Sequence, residues 1–332
     1  MTRAAQTPLL ERIAVLDDYQ NYALSMADWA PVLSCAEVKV FNHHLTEEQA
    51  VIALHDFDAI CCVRERMALP ASLINRLPNL KFIAITGVQH RTLDMAAVQA
   101  RGIVVSHTQR RGNGQFATAE LAWGMMLSLA RHLPEEITRM KTGGWQKTSG
   151  MALGGRTLGL VGLGRLGQHM VPIAKAFGMK VLAWSQNMTP QLAEQAGATW
   201  VDKETLFRES DFISLHVVLS ERTRHLVASR ELALMKPTAY LVNTARGPLV
   251  DGEALVQALI NKGIAGAALD TFDVEPLPDD HVLRTLDNVM LTPHLGYTVQ
   301  ELLVPFYQDT VENLRAFMDG RPIRVLSGSP QH

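Results

Sequence analysis

Short apolar runs alternate with amphipathic stretches along most of the chain. The runs at 12–16, 37–41, 58–63, 81–85 and 103–105 read as strands, and 46–54, 70–76 and 94–100 read as helices between them. Alternation of this kind builds βαβ units and a parallel sheet. Next, Leu121, Met125, Leu129, Leu133 and Ile137 recur at helical spacing. With a background rich in Ala and Met, this predicts one long, well-buried helix over 116–140, ended by Gly143-Gly144. Strand-like runs resume at 157–161, 180–184, 211–216, 240–243, 265–270 and 288–291, enough for a full doubly wound sheet. A last helix is predicted over 299–318, followed by a short tail to His332. No fixed short repeat and no low-complexity segment breaks this order.

Gly162-Leu163-Gly164-Arg165-Leu166-Gly167 lies between the run at 157–161 and a helical segment at 168–177. Strand, glycine turn and helix N-terminus together make the dinucleotide-binding fingerprint. Gly162 permits the tight turn, Gly164 lets backbone approach a pyrophosphate, and Gly167 lets helix and strand pack closely. The helix N-terminus offers unpaired N–H groups and a positive dipole end to the phosphates. The fingerprint stands mid-chain, so it also maps the domains. Residues 107–297 read as the dinucleotide-binding domain. Residues 1–106, rejoined by 298–332, read as a second, discontinuous α/β domain, with long helices crossing between the two and a cleft between them.

A chain of 332 residues exceeds what one ordinary core supports, which agrees with two domains. Its 47% hydrophobic and 19% charged residues suit a globular protein with ample core. A net charge of -2 and a pI of 6.6 leave no broad basic field, so nucleic acid is not expected as a partner. Arg110-Arg111 and the Arg64, Arg66 pair are too small for such a face. Cys35, Cys61 and Cys62 are too few and odd in number for a disulfide framework, and Cys61 and Cys62 read as small core residues. No C-x-x-C or H-E-x-x-H motif points to a metal. Residues 1–10 contain no apolar stretch of the signal-peptide kind, and no 18-residue apolar run exists, so a cytoplasmic protein without a membrane span is expected.

Three segments place chemistry just past predicted strands: Asn243-Thr244-Ala245-Arg246-Gly247, the stretch from Asp270 to Glu275-Pro276, and Thr292-Pro293-His294-Leu295-Gly296. In open α/β sheets ligands bind outside the carboxyl ends of the strands, where an Arg, a Glu and a His can converge. Singly, each has an ordinary reading as a surface ion-pair former, a solvated turn residue or a capped loop residue. All three at strand ends of one dinucleotide domain are far less ordinary.

With these segments the chain resembles the D-isomer-specific 2-hydroxyacid dehydrogenase family over nearly its full length. Further matches are Arg101-Gly102-Ile103, Thr118-Ala119-Glu120, Gly144-Trp145 and Ser214-Leu215-His216. The resemblance implies an α/β protein of two doubly wound parallel sheets, one a Rossmann domain for NAD or NADP, the other a flavodoxin-like substrate domain. It also implies a homodimer with the helix near 117–140 in the interface. The implied reaction moves a hydride between NAD(P)H and a small 2-keto acid or D-2-hydroxy acid. His294 would be the general acid, Glu275 its orienting partner, and Arg246 the grip on the carboxylate and polarised carbonyl. The cofactor would meet Thr118, Gly162, Gly164, Arg165, Leu166, Gly167, Ser185, Gln186, Asn187, His216, Thr244, Ala245, Asp270 and Gly296. Within that set, Asp270 would accept from the carboxamide. The substrate would meet Arg64, Gly87, Val88, Arg246 and Tyr297, with the N–H groups of 86–88 on the carboxylate. A corepressor-like nucleotide sensor on the same fold is the alternative, although it could dispense with Arg246, Glu275 and His294. Formate-oxidising relatives lack the Glu partner, so Glu275 argues against formate.

Several residues depart from the family pattern. Ser185 stands where an acid normally binds the ribose hydroxyls, and no Lys or Arg follows before Lys203, so neither NAD nor NADP is selected. Gln89, His90, Arg91 and Thr92 replace the usual residues after Gly87; His90 and Arg91 either face the mouth of the site or are solvated. Val218 replaces a usual proline. Tyr297 sits against a substrate side chain or in the core, and Arg64 would favour an acidic or polar substrate tail.

Overall fold

The computed structural model describes residues 10–109, 111 and 113–326. Residues 1–9, Arg110 of the arginine pair and the tail beyond 326 lie outside the described residues. The chain forms two compact units, Met1–Gln115 with Val299–His332, and Phe116–Thr298. They part at 115/116 and 298/299, against 106/107 and 297/298 drawn from the sequence.

The first unit holds β1 (Arg12–Leu16), β2 (Glu37–Val40), β3 (Ala59–Cys62), β4 (Phe82–Ile85) and β5 (Val104–His107). All pair in parallel, in the order β2-β1-β3-β4-β5. That is the flavodoxin-like order, with its switch point between β1 and β3. Every residue of β3 and β4 is buried, as strands covered on both faces must be, which is why they read as unbroken apolar runs. Cys61 and Cys62 are free thiols in that core, and burial pushes the Cys61 thiol up to about 12, so neither is reactive. The helix Gln300–Met318 buries Leu303, Phe306, Tyr307, Val311 and Leu314 within this unit. The ring of Phe317 lies 4.7 Å from that of Phe82. Buried Asp309 accepts the Gln109 N–H at 2.7 Å and pairs with Arg111 and Arg324, binding the last turns of chain to the strand edge.

The second unit holds β6 (Thr157–Val161), β7 (Lys180–Trp184), β8 (Thr199–Trp200), β9 (Phe212–Leu215), β10 (Tyr240–Asn243), β11 (Gly266–Leu269) and β12 (Val289–Leu291). The order is β12-β11-β10-β9-β6-β7-β8, all parallel, which is the Rossmann order with its reversal between β6 and β9. β8 was not expected: its two residues are both exposed, so no apolar run announces it.

The predicted helix over 116–140 is two helices, Ala117–Ala130 and Leu133–Lys141. His132 between them takes a left-handed φ of 51°. Pro134 has no N–H and disfavours helical backbone before it, so it starts a helix and cannot continue one. The first helix buries Ala122, Trp123, Met125, Met126 and Leu129, whereas the second buries no residue. The expectation of burial along its whole length is therefore corrected: Leu133, Ile137 and Met140 are exposed. Among the described residues no helix is long and apolar enough to cross a membrane, and no group of three His, Cys, Asp or Glu could hold a metal ion.

Candidate active site

The chain leaves β6 through Gly162, whose φ of 99° suits glycine, and enters the helix Arg165–Ala176 with Gly164 as its N-cap. A Cβ on Gly162 would lie 2.8 Å from the backbone carbonyl of His216. One on Gly167 would strike the Gly162 carbonyl oxygen, so the third glycine lets the helix close on the turn. Gly164 differs: nothing lies within 4 Å of its would-be Cβ. It has no side-chain cap, and a helix N-terminus without one suits an anion such as the pyrophosphate of a dinucleotide. Gly164→Ala is therefore expected to leave Tm within about 2 °C while raising KM for NAD(P)H roughly tenfold or more, because its φ of -74° tolerates alanine and only the ligand meets the methyl. Thermal unfolding beside steady-state kinetics checks this.

His216 follows β9, donating its N–H to Val161 at 2.8 Å, with Nε2 2.9 Å from Ser214 Oγ. Burial pulls the imidazole down to about 4. The unfolded chain takes up this proton near pH 6.5 and the folded one does not. Stability is then fully present above pH 6.5 and is lost as pH falls from 6.5 toward about 4, at up to roughly 1.4 kcal/mol per unit. Urea unfolding at pH 7.5 and 5 should show a smaller loss for His216→Gln than for the native chain. At the end of β7, Ser185 is partly buried and Gln186 and Asn187 are exposed. Lys203, the next cation, is held by the Leu226 carbonyl at 2.7 Å and Glu231 at 2.9 Å.

The edge formed by β10, β11 and β12 carries Arg246, Glu275 and His294. Buried Asn243 folds its own loop, donating from Nδ2 to the Arg246 carbonyl at 2.9 Å and accepting the Ala245 N–H at 3.0 Å. Thr244 is buried and Ala245 partly so. Half-buried Arg246 donates from Nη1 to the Ala245 carbonyl at 2.7 Å. Gly247 presses on the next loop so closely that a Cβ would overlap the Phe272 carbonyl and the Asp273 nitrogen. This contact sets the Arg246 loop against the loop of Glu275. Glu275 accepts the Phe272 N–H on Oε1 at 2.8 Å, and its Oε2 lies 2.6 Å from His294 Nδ1. About a quarter of each of these two side chains is exposed, 24% for His294 and 28% for Glu275.

His294 sits at a left-handed φ of 53°, a conformation that costs a non-glycine residue free energy and tends to mark functional sites. Asp270 holds it there. Its Oδ1 accepts from Thr292 Oγ1 at 2.6 Å and from the Leu295 N–H at 2.7 Å, and its Oδ2 from the Gly296 N–H at 2.8 Å. Burial still pushes this carboxyl up from its ordinary value, against those three bonds. A carboxylate has about four acceptor sites, so Oδ2 has room for one more donor. Thr118 Oγ1 donates to the Gly296 carbonyl at 2.7 Å, and buried Tyr297 meets the His294 ring edge-on at 5.3 Å. Tyr297 is thus packed against the His294 imidazole. The sequence does not single out Asn243 or Thr292 as site-builders; the signal for Asn243 is a short polar residue ending a buried strand, and for Thr292 a short polar residue just past a strand.

Arg64, Gly87 and Val88 belong to the first unit. Arg64 has a left-handed φ of 55°, donates its N–H to Thr86 Oγ1 at 2.6 Å, and lays its guanidinium where a Cβ on Gly87 would be. The Thr86 and Gly87 N–H groups are engaged, with the Cys62 carbonyl at 3.2 Å and Thr108 Oγ1 at 2.7 Å. Val88 is exposed, and among the described residues its N–H has no partner. His90 is buried, which lowers its pKa below the ordinary value, with Nδ1 3.3 Å from Thr92 Oγ1; Arg91 is exposed.

Residues 123–296 match the family described as D-isomer specific 2-hydroxyacid dehydrogenase, NAD binding domain. A glyoxylate reductase of Thermococcus litoralis is 41% identical over 257 residues, covering 75% of this chain and 77% of that protein. A hydroxypyruvate reductase of Thermotoga maritima is 39% identical over 271 residues, covering 80% and 86%. The crystal structure of a phosphoglycerate oxidoreductase from Vibrio cholerae O395 superposes with a TM-score of 0.87 at 35% identity, covering 93% of this chain and 99% of that one. Fingerprint, strand order, the His294 and Glu275 pair and these likenesses agree: the chain belongs to the D-isomer specific 2-hydroxyacid dehydrogenase family, NAD(P)-dependent oxidoreductases acting on the CH–OH group of small 2-hydroxy acids.

Proposed function

We propose that the protein works as a 2-keto acid reductase, with glyoxylate and hydroxypyruvate as the first substrates to try, and with Arg246, Glu275 and His294 as its catalytic residues. The observation that carries this reading is the 2.6 Å contact of His294 Nδ1 with a Glu275 whose other oxygen is fixed by the Phe272 N–H. A dinucleotide held by its pyrophosphate at the glycine turn would supply the hydride from its reduced nicotinamide. Glu275 holds Nδ1, so Nε2 is the atom that delivers a proton to the oxygen becoming a hydroxyl, and the carboxylate balances the imidazolium before transfer. Arg246 offers a planar, permanently charged fork to the substrate carboxylate and draws charge onto the carbonyl oxygen. Within the first unit, Val88 is the residue of 86–88 whose N–H is not already engaged among the described residues. Asp270 Oδ2 serves the carboxamide, and Thr118 and Gly296 act by placing the loop of His294.

Ser185, Gln186 and Asn187 accept hydrogen bonds from either ribose and repel neither, and Lys203 is already engaged, so both NADH and NADPH are expected to serve. A homodimer belongs to the same proposal, supported by the exposed Leu133, Ile137, Met140 and Trp145 on one stretch of chain; light scattering reads it. A cytoplasmic place is supported by the three free cysteines. The test of function is steady-state reduction of glyoxylate, hydroxypyruvate and phenylpyruvate with each cofactor at neutral pH. Turnover of at least one is expected, and none with any pair would sink the proposal.

A further inference from the structure

Phe116 opens the second unit just before the helix Ala117–Ala130 and gives it no side-chain cap. Its ring lies instead against the first turns of the helix Arg165–Ala176. It stacks face to face on His169, with centroids 3.9 Å apart and planes 4° from parallel. The guanidinium carbon of Arg165 lies 5.8 Å from the same ring centroid. Arg165 and His169 are one turn apart on a single helix face, so one ring spans both. Arg165 is the first helical residue after Gly164, and it is exposed while Phe116 and His169 are partly buried.

We propose that Phe116, backed by His169, is a positioning residue that orders Arg165 for the dinucleotide pyrophosphate; this rests on reading the glycine turn as the cofactor site. Holding a long arginine side chain in one geometry on binding costs conformational entropy. A ring face attracts a guanidinium through its quadrupole and narrows the side chain's rotamers beforehand. The parallel stack on His169 fixes the plane of the ring, so the face itself does not wander. Phe116 touches no part of the ligand in this scheme and acts only through Arg165.

The experiment measures Kd for NADH and ADP-ribose, with kcat alongside, for Phe116→Leu, Phe116→Tyr, Arg165→Met and the double variant. Phe116→Leu is expected to weaken both ligands about three- to tenfold, the factor an ordinary cation–π contact carries, with kcat unchanged. Phe116→Tyr keeps the ring face and stays within about twofold of the native protein. In the Arg165→Met background, Phe116→Leu should add nothing. His169→Leu, which removes the backing and leaves Phe116, should show a smaller loss by the same route and serves if Phe116→Leu fails to fold. An equal loss with and without Arg165, or no loss from either ring variant, overturns the proposal. A native protein that binds neither NADH nor NADPH overturns the cofactor reading beneath it, and this inference with it.

Discussion

His294→Asn is expected to lower kcat for keto acid reduction by about 10²–10⁴-fold while Kd for NADH or NADPH stays within about twofold. Asn tolerates the left-handed backbone that His294 adopts at φ 53°, so the loop keeps its fold through the bonds of Asp270. What it lacks is a ring nitrogen that can hold and release a proton beside Glu275. Steady-state rates with fluorescence titration of the cofactor separate the two effects. A variant with native kcat would place the acid elsewhere.

Asp270→Ala should cost both stability and rate, for one structural reason. It leaves Thr292 Oγ1 and the Leu295 and Gly296 N–H groups without their acceptor. Each orphaned donor costs about 1–3 kcal/mol, but the three are not additive and removing a carboxylate that burial disfavours returns part, so a net loss of roughly 2–4 kcal/mol is expected. With the loop released, His294 leaves its left-handed conformation, and a displacement of about 1 Å costs on the order of 10²-fold in kcat. Asp270→Asn, which keeps one acceptor oxygen and turns an amide toward backbone donors, should fall between. Rates measured well below the unfolding transition decide between positioning and mere stabilisation. Native kcat in folded Asp270→Ala would mean that something other than Asp270 places His294.

The best-read elements are those with one physical solution. β6, β7 and β10 match their predicted bounds because a run buried through its middle, stopped by glycine or a polar residue, leaves little choice of ends. β8 was invisible because Thr199 and Trp200 are exposed and pair on one side only. The helix over 116–140 was drawn through Pro134 because Leu133 and Ile137 keep the apolar spacing. Spacing alone does not say that a stripe is covered, and here the second helix leaves it exposed. His90 shows the opposite case: of its two readings, solvated or at the mouth of the site, burial removes the first.

The glycine turn, its strand and its helix follow from neighbours in the chain. A tight turn with φ of 99° at Gly162 and a Cβ excluded at Gly167 are steric facts within a few residues, so they are written locally and can be read locally. Residue types likewise announced an Arg, a Glu and a His at strand ends. Their assembly depended on contacts between distant parts of the chain. β9 lies beside β6, with β7 and β8 on the other side. Gly247 packs on Phe272, Glu275 reaches His294 across 19 residues, and Asp270 holds the Leu295 N–H across 25. Those distances close only when the sheet forms, because burial and strand pairing bring the segments together before any short polar bond can hold them.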